Sequence, residues 1–202
     1  MDISVERFGD AALRIRLPDS APGPAVLDAL RAHPGVRDAV VCERHALVVF
    51  DPASPPSGVA EAVARALDAS PSAAEPREHT VRVRYDGDDL DEVAARSGLG
   101  RERIAALHAS ARYVVAAVGF LPGFAYLRGI DPRLVLPRRA TPRPRVPALS
   151  VAIAGPYAGV YPFESPGGWH LLGTAIDFVP FDPEHGAALA VGDRVRFVGV
   201  VA

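Results

Sequence analysis

Tyr113-Val114-Val115-Ala116-Ala117-Val118-Gly119-Phe120-Leu121-Pro122-Gly123-Phe124 is where the chain changes character. Tyr113–Val118 is apolar and β-branched, the pattern of a buried strand. Before it, strand-like and helix-like segments alternate. After it, helical periodicity disappears, and nine of the 20 prolines fall between Pro122 and Pro166. Short apolar runs remain at 150–154, 170–173, 176–179 and 194–201. Many short strands divided by Gly/Pro turns indicate a barrel or a sandwich.

Working back from that point, 101–110 reads as a short helix with Ile104, Leu107 and His108 on one side. Asp88 or Asp89 is placed to cap a helix running through Arg96, with Gly98 ending it. Residues 80–85 alternate Val81 and Val83 with arginines, as a half-buried strand does. Further upstream, 12–17 is a strand, 22–32 a helix stopped by Pro34-Gly35, and 36–42 and 46–50 a hairpin. A helix carrying Val59, Val63, Ala66 and Leu67 follows. This order suits a ferredoxin-like α+β domain if a closing strand comes from 80–85 or from the first residues. The small, polar stretch 70–78 reads as a linker or a long surface connection. The expected domains are therefore 1–78, α+β, and 79–202, mainly β.

The chain has 202 residues, 49% hydrophobic and 23% charged, which is a globular composition. A net charge of −2 offers no global basic field to nucleic acid or anionic lipid. All 22 basic residues are arginine, which excludes Schiff-base lysine chemistry and a lysine-bearing phosphate loop. Cys42 is the single cysteine, so no disulfide within the chain and no cysteine-rich metal site can form. Its place in an N-terminal strand reads as a core thiol. No apolar run approaches the roughly 20 residues of a membrane span. A cytoplasmic protein without membrane or nucleic-acid contacts is expected, and no metal site is foreseen.

Three stretches carry candidate chemistry. The first is the glycine- and aromatic-rich loop from Gly119 to Leu127, where Phe124 and Tyr126 are candidate walls of a ligand site or simply core residues. The second is 128–145, with six arginines against one acid, Asp131. Prolines 132, 137, 142 and 144 stiffen it. Arg138, Arg139, Arg143 and Arg145 are candidates for gripping a carboxylate or phosphate, because planar guanidinium groups bind such anions in bidentate fashion. The alternative is a solvated loop, or pairing with the acids of a partner chain. The third is 155–173, where Glu164 is the only acid between Asp131 and Asp177. Glu164 is a candidate general base, a metal partner, or a structural partner for an arginine. Trp169 is a candidate wall, and His170 beside it reads as a packed residue. His108, at a helix C-terminus whose dipole favours the charged form, is either a catalytic group or a packing one.

The strings Gly119-Phe-Leu-Pro-Gly-Phe-Ala-Tyr-Leu127, Leu136-Pro-Arg-Arg-Ala-Thr-Pro-Arg-Pro-Arg-Val-Pro147, Ser150-Val-Ala-Ile-Ala-Gly155 and Tyr161-Pro-Phe-Glu-Ser-Pro-Gly-Gly-Trp-His-Leu-Leu-Gly173 together resemble the family of B-type subunits of 5-oxoprolinase. That family is also called allophanate hydrolase subunit 1 or the sporulation kinase inhibitor family. The likeness extends to 104–110 and to Ala190-Val-Gly-Asp-Arg-Val-Arg-Phe197. It implies a ferredoxin-like domain followed by a cyclophilin-like β-barrel. It further implies work with two partners, a larger cyclophilin-like C-type subunit and a hydrolase-like A-type subunit. Together they would open the lactam of 5-oxo-L-proline to L-glutamate with ATP as co-substrate, accompanied by Mg2+. Phosphorylating the lactam oxygen makes a stable amide a better electrophile, and that step needs preorganised donors. The chain departs from the family at Tyr157-Ala158-Gly159, at Thr174-Ala175 and at Ala111-Arg112-Tyr113. A kinase-inhibiting binding module, a component of an allophanate or urea-amide hydrolase and, by fold analogy, a proline isomerase are the alternative readings.

Overall fold

A computed structural model describes residues 3–18, 21–68 and 76–200. The chain divides into two compact units, Met1–Glu75 and Pro76–Ala202. The linker expected at 70–78 falls mostly outside the described residues.

The first unit runs β1 (Val5–Arg7), β2 (Ala12–Arg16), α1 (Gly23–Arg31), β3 (Val36–Cys42), β4 (His45–Phe50) and α2 (Val59–Asp68). Its four strands lie in the order β1-β2-β4-β3. β1 is antiparallel to β2, so the first residues, rather than 80–85, take the edge a closing strand would fill. Alternation on each strand turns Ile15, Ala39, Val41, Ala46 and Val48 toward Val26 and Leu30 of α1 and Val59 and Val63 of α2. Burying one such aliphatic side chain contributes about 1.5–3 kcal/mol. The same alternation corrects the expectation for Cys42. It follows Val41 on β3, faces outward and is exposed, so it is not a core thiol.

The second unit runs β5 (Glu78–Arg84), α3 (Leu90–Ser97), α4 (Arg101–Ser110), β6 (Tyr113–Val118) and β7 (Ala125–Arg128), then a 3-10 turn (Pro132–Leu134). It continues with β8 (Arg143–Val146), β9 (Ser150–Ala154), β10 (Tyr157–Val160), β11 (Ser165–Gly167), β12 (His170–Ile176), the small pair β13 (Phe181–Asp182) and β14 (Gly186–Ala187), and β15 (Arg194–Gly199). Seven strands close a barrel in the order β10-β7-β6-β15-β5-β12-β9. β5 and β15, the first and last strands of the unit, run parallel and side by side. Of the barrel or sandwich that the Gly/Pro spacing indicated, the unit forms the barrel. The two runs expected at 170–173 and 176–179 are one strand ending at Ile176, and residues 177–179 lie beyond it.

Two apolar clusters fill the second unit. One lines the barrel with Val81, Val83, Val115, Leu127, Ile153, Leu172 and Phe197, and takes in Leu90, Val93, Ile104 and Leu107 from α3 and α4. The other gathers Phe124, Val146, Ala152, Ala154, Tyr161, Trp169 and Leu171. The candidate site is built on this second cluster.

Candidate functional site

A cavity of about 250 Å³ opens over the second cluster. Phe124, Tyr126, Tyr161 and Trp169 form its walls, and Phe120 and Arg138 are also part of the lining. Phe124 is the hub. Tyr126, Tyr161 and Trp169 meet it edge to face at centroid distances of 5.1, 5.4 and 5.4 Å. Such contacts fix ring orientation as well as burying area. Phe120 also meets Phe124 edge to face, yet it is 59% exposed and holds φ at +77°. A bulky residue in that region is strained, and strain of this kind gathers at ligand sites. Gly167 completes the floor, since a Cβ there would come 2.2 Å from the Tyr161 hydroxyl. Burial raises the Tyr161 pKa, so its phenol stays neutral.

The wall carrying Arg138 is pinned from behind. Pro137 accepts a hydrogen bond from His170 Nε2 at 2.9 Å, and the Arg139 amide donates to Gly168 O at 2.8 Å. The Arg139 guanidinium donates to Asp89 at 2.7 Å and also to Glu92. Arg143 grips Asp89 with two bonds of 2.6 and 2.9 Å, and the Leu171 amide donates to the same carboxylate at 2.8 Å. Asp89 is buried. Burial alone would raise its pKa, but hydrogen bonds from Arg143 and the Leu171 amide, with both guanidinium charges, hold it below the usual carboxylate value. Asp89 does stand at the N-cap of α3, and Gly98 ends that helix in the left-handed conformation. However, its side chain caps no helix amide; it faces the arginines instead.

The four candidate arginines therefore separate. Arg139 and Arg143 are neutralised internally by Asp89 and Glu92 and do not line the cavity. Arg145 is exposed and lies 3.8 Å from Glu164, which is exposed too. Of the four, Arg138 alone lines the cavity, and its guanidinium has no hydrogen bond or ion pair among the described residues. The expected clamp of four guanidinium groups is thus one guanidinium held in place by two others. Phe124, Tyr126 and Trp169 do converge on the cavity.

Glu164 and His108 are not part of the lining. His108 is wholly buried against Phe197, Tyr113 and Tyr85, and Nδ1 lies 2.8 Å from the Tyr85 hydroxyl. Burial pushes its pKa down to about 3, which overrides the helix-dipole expectation of a charged imidazole.

Asp89 is hidden in the sequence because an acid before a helix looks like a cap. A signal existed: the arginines of 128–145 outnumber their own acids, while the stretch 86–92 holds Asp86, Asp88, Asp89, Asp91 and Glu92. Chemically, the lining offers apolar walls, phenol hydroxyls and one cation. It suits a small, largely apolar anion. Among the described residues it contains no thiol, imidazole or carboxylate to attack one.

Residues 3–190 match the family described as carboxyltransferase domain, subdomain C and D. The B-type subunit of 5-oxoprolinase from Escherichia coli O157:H7 is 50% identical over 115 residues, covering 55% of this chain and 52% of that protein. The chain spans about half the length of the curated relatives it matches. The crystal structure of TTHA0988 superposes with a TM-score of 0.80 at 41% identity, over 95% of this chain and 40% of that one. The urea amidolyase of Kluyveromyces lactis shares the fold alone, with a TM-score of 0.72 at 19% identity over 98% of this chain and 15% of that one. These likenesses bear out the family resemblance read from the motifs.

Proposed function

The chain belongs to the family of carboxyltransferase domains, subdomains C and D, and from that premise we propose that it is one component of a 5-oxoprolinase that opens 5-oxo-L-proline to L-glutamate. The observation carrying this reading is Arg138 facing an aromatic cavity with no partner of its own among the described residues. 5-Oxo-L-proline is a small ring with apolar methylene edges, one amide and one carboxylate. Arg138 would take the carboxylate in bidentate fashion. The rings of Phe124, Tyr126 and Trp169 would flank the methylenes, and the Tyr161 phenol would remain available to the amide.

The same lining limits the chain's share of the work. It supplies binding and orientation, which lower the barrier by fixing geometry, while the attacking group comes from elsewhere. A larger cyclophilin-like C-type subunit and a hydrolase-like A-type subunit are the proposed partners, and the N-terminal unit is read as a ferredoxin-like variant closed by β1. ATP supplies phosphoryl activation of the lactam in this scheme. Among the described residues the cavity has a guanidinium but no carboxylate to hold Mg2+. It therefore does not fit a magnesium-bound triphosphate, and no step on this chain is routed through one.

Trp169, the only tryptophan, reports on the cavity directly. Titrating 5-oxo-L-proline into the chain co-expressed with its partners is expected to change Trp169 fluorescence saturably, with Arg138→Gln raising Kd about tenfold or more. The complex should release glutamate only when ATP is present. Unchanged affinity in Arg138→Gln, or equal glutamate release without this chain, would overturn the reading.

A further inference from the structure

A second cavity, of about 460 Å³, shares no lining residue with the aromatic one and lies where β5, β6 and β15 meet. Its lining includes Arg112, Arg194, Arg196, His79 and Glu78. Arg194 and Arg196 are two apart on β15, so their side chains leave the same face of the strand. Arg112 directly precedes β6, one residue beyond the last pair that β6 makes with β15, Tyr113 with Val195. Three like charges are thereby brought to one concavity, an arrangement that costs stability until something negative enters it.

The local counter-charge does not supply that. Glu78 approaches Arg194 no nearer than 3.7 Å, and both side chains are mostly in solvent. Arg196 spends its Nε on Thr80 Oγ1 at 2.7 Å, which leaves the two terminal nitrogens for another acceptor. Arg112 has no hydrogen bond or ion pair among the described residues. Asp193, the buried acid nearby, is fully engaged: it accepts from Ala190 N, from Arg77 and from His79 Nε2 at 2.9 Å. The contact with Asp193 occupies Nε2 of His79.

We propose that this cavity is a binding site for a small oxyanion, a carboxylate or a phosphate, gripped by Arg112, Arg194 and Arg196. Guanidinium forks match both groups, so the site is assigned to the shared chemistry. It is independent of the aromatic cavity and of any reaction there.

Isothermal titration of the full chain tests it, with inorganic phosphate and succinate as separate probes. The expected result is saturable binding of at least one probe. Arg112→Gln and Arg194→Gln should each weaken it about tenfold or more in an Arg138→Gln background, where the aromatic cavity has lost its guanidinium. Both cavity substitutions are at surface positions, so circular dichroism should confirm an unchanged fold. The probe that binds identifies the anion class. The proposal is overturned if neither probe binds, if both β5/β6/β15 variants bind like the Arg138→Gln parent, or if Arg138→Gln is the variant that abolishes binding.

Discussion

Asp89 and Arg143 are joined by two hydrogen bonds, of 2.6 and 2.9 Å, across 54 residues of sequence. The pair anchors the loop that carries Arg138 to the start of α3. Breaking a buried, charge-paired network by removing one member leaves the other charges uncompensated, which costs about 3–5 kcal/mol. Asp89→Ala should therefore lower stability by that amount in urea unfolding, and Arg143→Ala should behave similarly. Arg145→Ala, at an exposed pair, should change it by about 0.5 kcal/mol or less. Equal small losses in all three would refute the anchoring role.

Phe120 holds a positive φ while lining the aromatic cavity. Phe120→Gly removes the steric cost of that conformation but enlarges the freedom of the unfolded chain. Relative to Phe120→Ala, which keeps the strain, the glycine variant should be more stable by about 1 kcal/mol. On the proposed function, both should bind 5-oxo-L-proline more weakly than the native chain. If alanine and glycine are equally stable, the backbone at 120 is not strained in solution.

Gly167 faces the Tyr161 hydroxyl so closely that no Cβ fits. Gly167→Ala should cost about 1–3 kcal/mol through overpacking. Tyr161→Phe removes the nearest atom of the clash, so the double variant should lose less than the two single losses added together. Strict additivity in chemical denaturation would argue against the contact.

His108 predicts a pH dependence. Its pKa is about 3 in the folded chain, against about 6.5 when unfolded. Between those values the unfolded state binds a proton that the native state refuses. Stability therefore rises with pH through this window and is lost as pH falls from about 6.5 toward 3. With the slope rising toward about 1.4 kcal/mol per pH unit below pH 6.5, native protein should lose about 1.6 kcal/mol more than His108→Phe on going from pH 6.5 to pH 5. Parallel stability curves for the two proteins would show that His108 is protonated when folded.

Much of the framework was legible without coordinates. Residues 101–110, 113–118 and 150–154 read as one helix and two strands, and they are α4, β6 and β9 with the same bounds. Their apolar periodicity is a local property, and burial in the barrel agrees with it. β8, β10 and β11 were not legible. They are short, rich in glycine and proline, and exist because a partner strand lies beside them. The aromatic walls could be nominated from composition, since rings between glycines must either pack or line something. The arginine run could be nominated too, but its members look alike in one dimension.

The sequence by itself determined where strands and helices alternate, that a β-rich half follows Tyr113, and that the cations of this protein are all guanidinium groups. Only the tertiary structure decided which of those groups are available. Hydrogen-bond partners are chosen by proximity in space: Asp89 is brought to Arg139 and Arg143 by the packing of α3 against β12, whereas Arg138, one residue away, has no such neighbour among the described residues and faces the cavity. Periodicity records which side of an element is buried. It carries no information about which distant charge will be buried beside it.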